Sequence, residues 1–318
     1  MLGTKDGPVR ADRRSYPAYS KRLRDLSGDR SATAHQAKEK HVAKVTVNAL
    51  LDAGVHFGHQ KRRWNPKMKP YIYGVRNGIT IFDLTVTMRE LANACRFLRD
   101  TVAEGGDILF VGAKRQAQET MREVADQTGM HVMCDRWLGG TLTNHQVVRR
   151  RIEYLKKLRT MEEDGSFEDM PKKEVASMRR EKEKLERTLG GIVNMRDMPS
   201  AMVVVDILHE AIAISEANRL GIPVVALVDS NCDPELVDYV IPGNDDALKS
   251  IRVIMSAVQA AVDAGNMVQG KEVQPRETAQ PQAEPAAEAA GEPQAEKAAP
   301  PSPETDTETA KEMTQATE

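Results

Sequence analysis

Between residues 53 and 82 the sequence holds six Lys or Arg, namely Lys61, Arg62, Arg63, Lys67, Lys69 and Arg76, and no Asp or Glu. The same window holds Phe57, Trp64, Tyr71, Tyr73 and Phe82, five of the 13 aromatic residues in a chain of 318. Lys and Arg neutralise phosphates and rings stack on exposed bases, so this combination predicts contact with a polyanion such as RNA. A competing reading applies to three of the rings. "YIYGVRNGITIF" has the form of a β-hairpin turning at Asn77 and Gly78, which makes Tyr71, Tyr73 and Phe82 hairpin faces or core. The unbroken positive charge is harder to dismiss as a merely solvated face, because an ordinary solvated surface mixes both signs.

A second polar constellation is "DRWLGGTLTNHQVVRRR", residues 135 to 151. Thr143 or Asn144 is placed to cap a following helix, whose free N–H groups suit an anion. Gly139 and Gly140 permit close backbone approach, while Arg136, Arg149, Arg150 and Arg151 extend the positive surface. Trp137 is read as a packing residue. Lys114 and Arg115, just after the apolar run "DILFVG", complete the candidate RNA contacts. A third group consists of Asp206 and Asp229, each closing an apolar run, with His209 and Asp233 close behind. Gathered at the carboxyl edge of a sheet, these four suit a divalent ion, zinc or magnesium. The plainer alternative is helix capping by Asp206 and a turn from Asp229 to Pro234.

These residues need elements to carry them. "DILFVG" (107 to 112), "AMVVVD" (201 to 206) and "PVVALVD" (223 to 229) read as strands buried on both faces of a parallel sheet, with 131 to 134 and 238 to 241 as weaker candidates. Leu84, Met88, Leu91, Cys95, Leu98 and Val102 fall on one helical face, and 114 to 128, 208 to 220 and 246 to 264 also read as helices. The alternation predicts an α/β three-layer sandwich. One insertion, 144 to 189, is dense in charge with thin apolar stripes (Val148, Ile152, Leu155, Leu158; then Val175, Met178, Leu185, Leu189). It predicts a projecting antiparallel helical hairpin whose stripe serves a two-helix contact.

The ends differ from the middle. Residues 266 to 318 carry 4 Lys or Arg against 11 Asp or Glu amid Ala and Pro, the composition of a disordered acidic tail. Residues 1 to 44 carry 11 against 5. The leader has neither a secretory h-region nor transit-peptide composition, and no run has the length of a membrane span. Cys95, Cys134 and Cys232 lie far apart, which predicts neither a zinc ribbon nor a disulfide framework. A soluble cytoplasmic protein is expected. No phosphate-binding glycine motif follows a strand: Gly112 stands alone where G-x-G-x-x-G would be needed. "HEAIA" at 209 lacks a second His, and "DSNCDPELVDYV" lacks the Gly and Glu of a calcium loop. Catalysis therefore has no motif behind it, and no cofactor is required.

"ALLDAGVHFGHQKRRWNPKMKPYIYGVRNGITIFDL", "ILFVGAKRQA", "RWLGGTLTN" and "GIPVVALVDSNCDPELVDYVIPGNDDA" together resemble the bacterial form of the second small-subunit ribosomal protein family, from about Val42 to Gly265. The resemblance implies a flavodoxin-like sandwich with a projecting coiled-coil hairpin (42 to 265, hairpin 144 to 189). It also implies contact with 16S ribosomal RNA and neighbouring small-subunit proteins, and docking of the large multi-OB ribosomal protein that captures messenger RNA. Two other readings stand beside it, a nucleotide-using α/β enzyme and a free regulatory RNA binder. The leader (1 to 41) and the tail (266 to 318) depart from the family pattern. The leader is read either as preceding a true start at Val42 or as a basic RNA-binding arm.

Overall fold

The computed structural model describes residues 45–167 and 170–270. The leader, the start proposed at Val42 and the tail from 271 onward lie outside the described residues. Five parallel strands form the main sheet: β4 (Ile108–Val111), β5 (His131–Met133), β6 (Ala201–Val205), β7 (Val224–Val228) and β8 (Tyr239–Pro242). Their spatial order is β5-β4-β6-β7-β8, so the strand begun first lies second and its neighbour on the inner side is the third. This doubly wound order fits a flavodoxin-like α/β fold. Every residue of β4, β6 and β7 is buried, because helices cover both faces and leave no solvent side for alternation.

Alternate residues feed opposite layers. Ile108, Phe110, Val203, Val205 and Leu227 join one core with α2 (Leu84–Ala103), α3 (Arg115–Thr128) and α7 (Leu248–Gln269). Leu109, Val111, Met202, Val204 and Ala226 join the other, with α6 (Ala211–Leu220) and the start of α4 (His145–Glu163). The expected stripe on α2 is present, with Leu84, Leu91, Cys95, Leu98 and Val102 buried and Asp83 capping through the Thr85 N–H. Helix α7 runs to Gln269, past the boundary at 265, and α6 begins at Ala211 rather than 208. Asp206 explains the latter, since its carboxylate accepts from the Leu208 and His209 N–H groups and holds an extra turn before the helix.

A second, antiparallel sheet carries the basic window, in the order β1-β3-β2. Its strands are β1 (Phe57–Gln60), β2 (Ile72–Arg76) and β3 (Ile79–Phe82), and the short helix α1 (Val47–Asp52) precedes them. Asn77 and Gly78 turn the hairpin with φ of 52° and 77°, the left-handed pair that matches strand twist. Phe82 is core and Tyr71 packs half-buried, as the hairpin reading required, but Tyr73 stands 82% exposed.

Helices α4 and α5 (Lys172–Leu189) pack side by side in the expected insertion. Arg159 grips Glu186, and Glu162 takes Lys182 and Arg179. One expectation about the stripe changes: Val148, Ile152, Leu155 and Leu189 belong to the core beneath the sheet. The start of α4 and the end of α5 are therefore rooted in the sandwich, and the stripe serves more than a contact between two helices.

Candidate nucleic-acid interface

The basic window is fixed to the carboxyl edge of the main sheet at several points. Gly58 passes so close to Ser230 that a Cβ would lie 2.8 Å from its Oγ. The His59 N–H donates to Ser230 Oγ (2.8 Å) and to Asp229 Oδ1 (3.2 Å), the Asn65 N–H donates to the Ser230 carbonyl (2.7 Å), and Asn244 N–H donates to the Val55 carbonyl (3.1 Å). Residues 61–63 and 66–71 then form short 3-10 turns that leave the long side chains outward.

The cations of this window divide into two kinds. Lys61, Arg62, Arg63, Lys69 and Arg76 are exposed, and none makes an ion pair among the described residues. Trp64 is half-buried beside them. Lys67 differs: its ammonium lies 2.7 Å from Asp233 and 2.8 Å from Glu235, and hydrogen bonds to both raise its pKa. Its charge is answered within the protein. Lys114 is the second cation so engaged, 2.7 Å from Asp245, 2.6 Å from Asp246 and 3.3 Å from Asp206. Burial works against its charge, but the bonds to Asp245 and Asp246 outweigh it and raise the pKa. As candidate RNA contacts, Lys67 and Lys114 are thus unlike the other five, whereas Arg115, Arg136, Arg150 and Arg151 stand exposed. Arg149 faces only a long 3.9 Å approach from Glu153.

The expected ion ligands do not form one group. Asp206 and Asp229 reach the carboxyl edge, but His209 turns its Nδ1 to Glu210 (3.0 Å) and Asp233 is taken by Lys67. Among the described residues, the groupings close enough to share an ion are His59, Asp229, Asp245 and Asp246, and Asp206, Cys232 and Asp245. The Lys114 ammonium touches members of both. His59 lies 3.0 Å from Asp229 and 3.5 Å from Asp246. Its hydrogen bond to Asp229 raises its pKa against the opposing effect of burial. Burial and the neighbouring Asp229 push Asp245 up to about 7. The three free thiols are buried, and burial raises their pKa values too.

Two internal carboxylates occupy the positions where an α/β fold would receive phosphate. Glu210, buried, accepts from the Ala113 N–H just after β4 (2.8 Å), at the point where the strand order reverses. Glu216, also buried, accepts from Trp137 Nε1 (3.1 Å) and from the N–H groups of Gly140 (2.7 Å), Leu142 (3.1 Å) and Thr143 (3.1 Å). Burial alone would raise the Glu216 pKa, but these bonds more than compensate and hold it below the usual carboxylate range. In the glycine loop 137–143 the N–H groups of Gly140, Leu142 and Thr143 are spent on an internal anion, Glu216, rather than left for the phosphate that the sequence reading expected. Asn144 precedes α4 without a side-chain capping bond.

The family model described as ribosomal protein S2 matches residues 50–265. The chain belongs to the ribosomal protein S2 family. This is a structural family of the small ribosomal subunit, not a family of enzymes, and membership gives the chain a place in translation. The match to the S2 family spans both sheets and the inserted helices, and stops short of the leader and tail. Among the described residues, no helix is long and apolar enough to cross a membrane.

Several residues that build this S2-family surface escaped the sequence reading: His59, Asp245, Asp246, Glu210 and Glu216. One signal was available for Glu216. It sits between buried Ala213 and Ala217 on the apolar stripe of α6, and an acid on such a stripe demands donors from a neighbour. For Asp245 and Asp246 the adjacent acid pair straight after a strand was the only cue.

Proposed function

We propose that this S2-family protein binds 16S ribosomal RNA through Lys61, Arg62, Arg63, Lys69 and Arg76, and that it has no catalytic role. The observation that carries this reading is the set of five exposed cations without ion pairs among the described residues, on the 3-10 turns and edge of a small sheet pinned to the sandwich. A backbone already held in one place presents its cations to phosphates at a lower ordering cost than a loose arm does. Glu210 and Lys114 argue against the nucleotide-using enzyme, because at the crevice such an enzyme needs Glu210 already takes the Ala113 N–H and Lys114 is already paired with Asp245 and Asp246. The helix pair α4–α5, as a projecting coiled-coil arm, and docking of the multi-OB messenger-capturing protein are part of the same proposal and follow from the family. A divalent ion, zinc or magnesium, is a separate proposal. His59, Asp229, Asp245 and Asp246 are the side chains near enough to hold it, and it would have to compete with Lys114. Elemental analysis of purified protein tests it, and a metal content at background rejects it.

The test of RNA binding replaces Lys61, Arg62 and Arg63 together by Glu. All three are exposed, so the melting temperature should stay within a few degrees while incorporation into small subunits falls. Normal incorporation by a folded triple variant rejects the reading. Retention of messenger RNA binding by ribosome-free protein would favour the regulatory alternative.

A further inference from the structure

A groove of about 250 Å³ lies between α4 and the segment after α5, lined by Arg149, Ile152, Lys156, Val193, Met195 and Arg196, with Glu153 and Asn194 at its rim. Arg149, Ile152, Glu153 and Lys156 share one face of α4, as their spacing dictates. The first and last of these lie about 10 Å apart along the helix. The opposite wall is set by Gly191, where a Cβ would sit 2.1 Å from the Val132 carbonyl oxygen. Only glycine allows that approach, so the 190s segment lies flush against β5. Ile192, Val193 and Met195 are buried behind it, which leaves Arg196 to face α4 from a fixed base. Both walls therefore carry positive charge above an apolar floor; among the residues that line the groove Glu153 is the one acid, 68% exposed and 3.9 Å from Arg149. A second cleft sets Asp229 and Asp246 beside Arg63 and His59, so its wall mixes both signs.

We infer that this groove is a second RNA-binding site, one that takes the sugar-phosphate backbone of a single strand. Like charges on two facing walls focus a positive potential that neither wall would produce alone. At a rise of about 3.4 Å per nucleotide, the span from Arg149 to Lys156 covers roughly three nucleotides. Asn194, exposed at the groove, offers both a donor and an acceptor to the edge of a base. Lys156, Asn194 and Arg196 enter as contacts on this ground, beside Arg149.

The inference rests on the RNA-binding reading above, and one experiment separates the two. Binding of the full chain to naked 16S RNA transcript is titrated against salt for wild type, for Lys61/Arg62/Arg63→Glu and for Arg149/Lys156/Arg196→Gln. Losing three phosphate contacts should lower the slope of log K against log salt by about 2 in the groove variant, with an unchanged melting temperature. If the Lys61/Arg62/Arg63→Glu variant weakens and the groove variant keeps the wild-type slope, the groove inference is overturned and the proposed function survives. If neither variant changes, both fail. Should the triple variant melt early, Arg196→Gln alone serves. Its side chain is exposed, and its slope should fall by about 0.7, with no change counting against the groove.

Discussion

Replacing Glu216 by Ala tests whether an internal carboxylate, and not RNA, satisfies the glycine loop. The Trp137 Nε1 and Leu142 N–H bonds to Glu216 are fully buried, while those from Gly140 and Thr143 are reached by solvent at the edge. Water can replace the carboxylate at the outer pair and not at the inner pair. Two buried donors left without partners cost about 1–3 kcal/mol each. The expected loss is therefore roughly 4 kcal/mol, or about 10 °C of melting temperature for a domain of this size. Thermal unfolding followed by Trp fluorescence measures it, and Trp137 should also report a wetter environment in the folded variant. Formate or phosphate added to Glu216→Ala should restore part of the lost stability, because either anion can fill the vacated site. Glu216→Gln should do only slightly better than Ala, since its amide turns a donor towards donors. A Glu216→Ala protein that melts within 2 °C of wild type would show that the loop does not depend on this carboxylate.

The Glu216 shift also fixes a pH response. Its folded pKa is depressed, so its stabilisation is complete above the ordinary Glu range and is lost on acidification through the folded value; Glu216→Ala should accordingly show a shallower acid decline than wild type in melts below pH ~5. Asp245 works in the opposite direction. Its folded pKa of about 7 against 3.8 makes the folded chain keep a proton that the unfolded chain has shed, so stability falls as pH rises between those values. Asp245→Asn should flatten that fall, and an undiminished slope would count against the buried cluster. Lys67→Ala should leave 16S RNA affinity close to wild type while Lys61→Ala lowers it, because Lys67 already faces Asp233 and Glu235; equal losses in filter binding would contradict the division of the cations. Gly191→Ala should destabilise by about 1–3 kcal/mol through its clash with Val132, and an unaltered melt would mean that the 190s segment is not pinned as described.

Much of the scaffold was legible because the three central strands are unbroken apolar runs, a pattern that only a sheet covered on both faces requires. The helical stripe of α2 and the turn at Asn77 and Gly78 were equally local and equally readable. The basic window could be found by composition. Which of the candidate cations are free could not, since Lys67 in the window and Lys114 beyond it meet acids 166 and 131 residues away. The ion ligands failed for the same reason: closeness in sequence placed His209 and Asp233 near Asp206 and Asp229, but chain direction after each strand sent them to other partners. Tyr73 shows the limit of the pattern for the hairpin, because strand periodicity tells alternate faces apart without telling which face meets the core.

The clasp between β1 and the carboxyl edge also has a consequence in time. The His59 N–H finds its partners 170 residues later, and the Val55 carbonyl waits for Asn244. During synthesis at about 5–20 residues per second, roughly ten to thirty seconds separate the appearance of the basic window from the appearance of the residues that seat it. In that interval the cations are present but not arranged, and any RNA they meet meets a flexible chain. The surface is arranged only once β7, β8 and the acids after them have emerged. The order of the chain thus delays the surface that we propose binds RNA until nearly the whole α/β domain has been made, and on that proposal a nascent chain stalled before Asp229 should hold RNA weakly and without register.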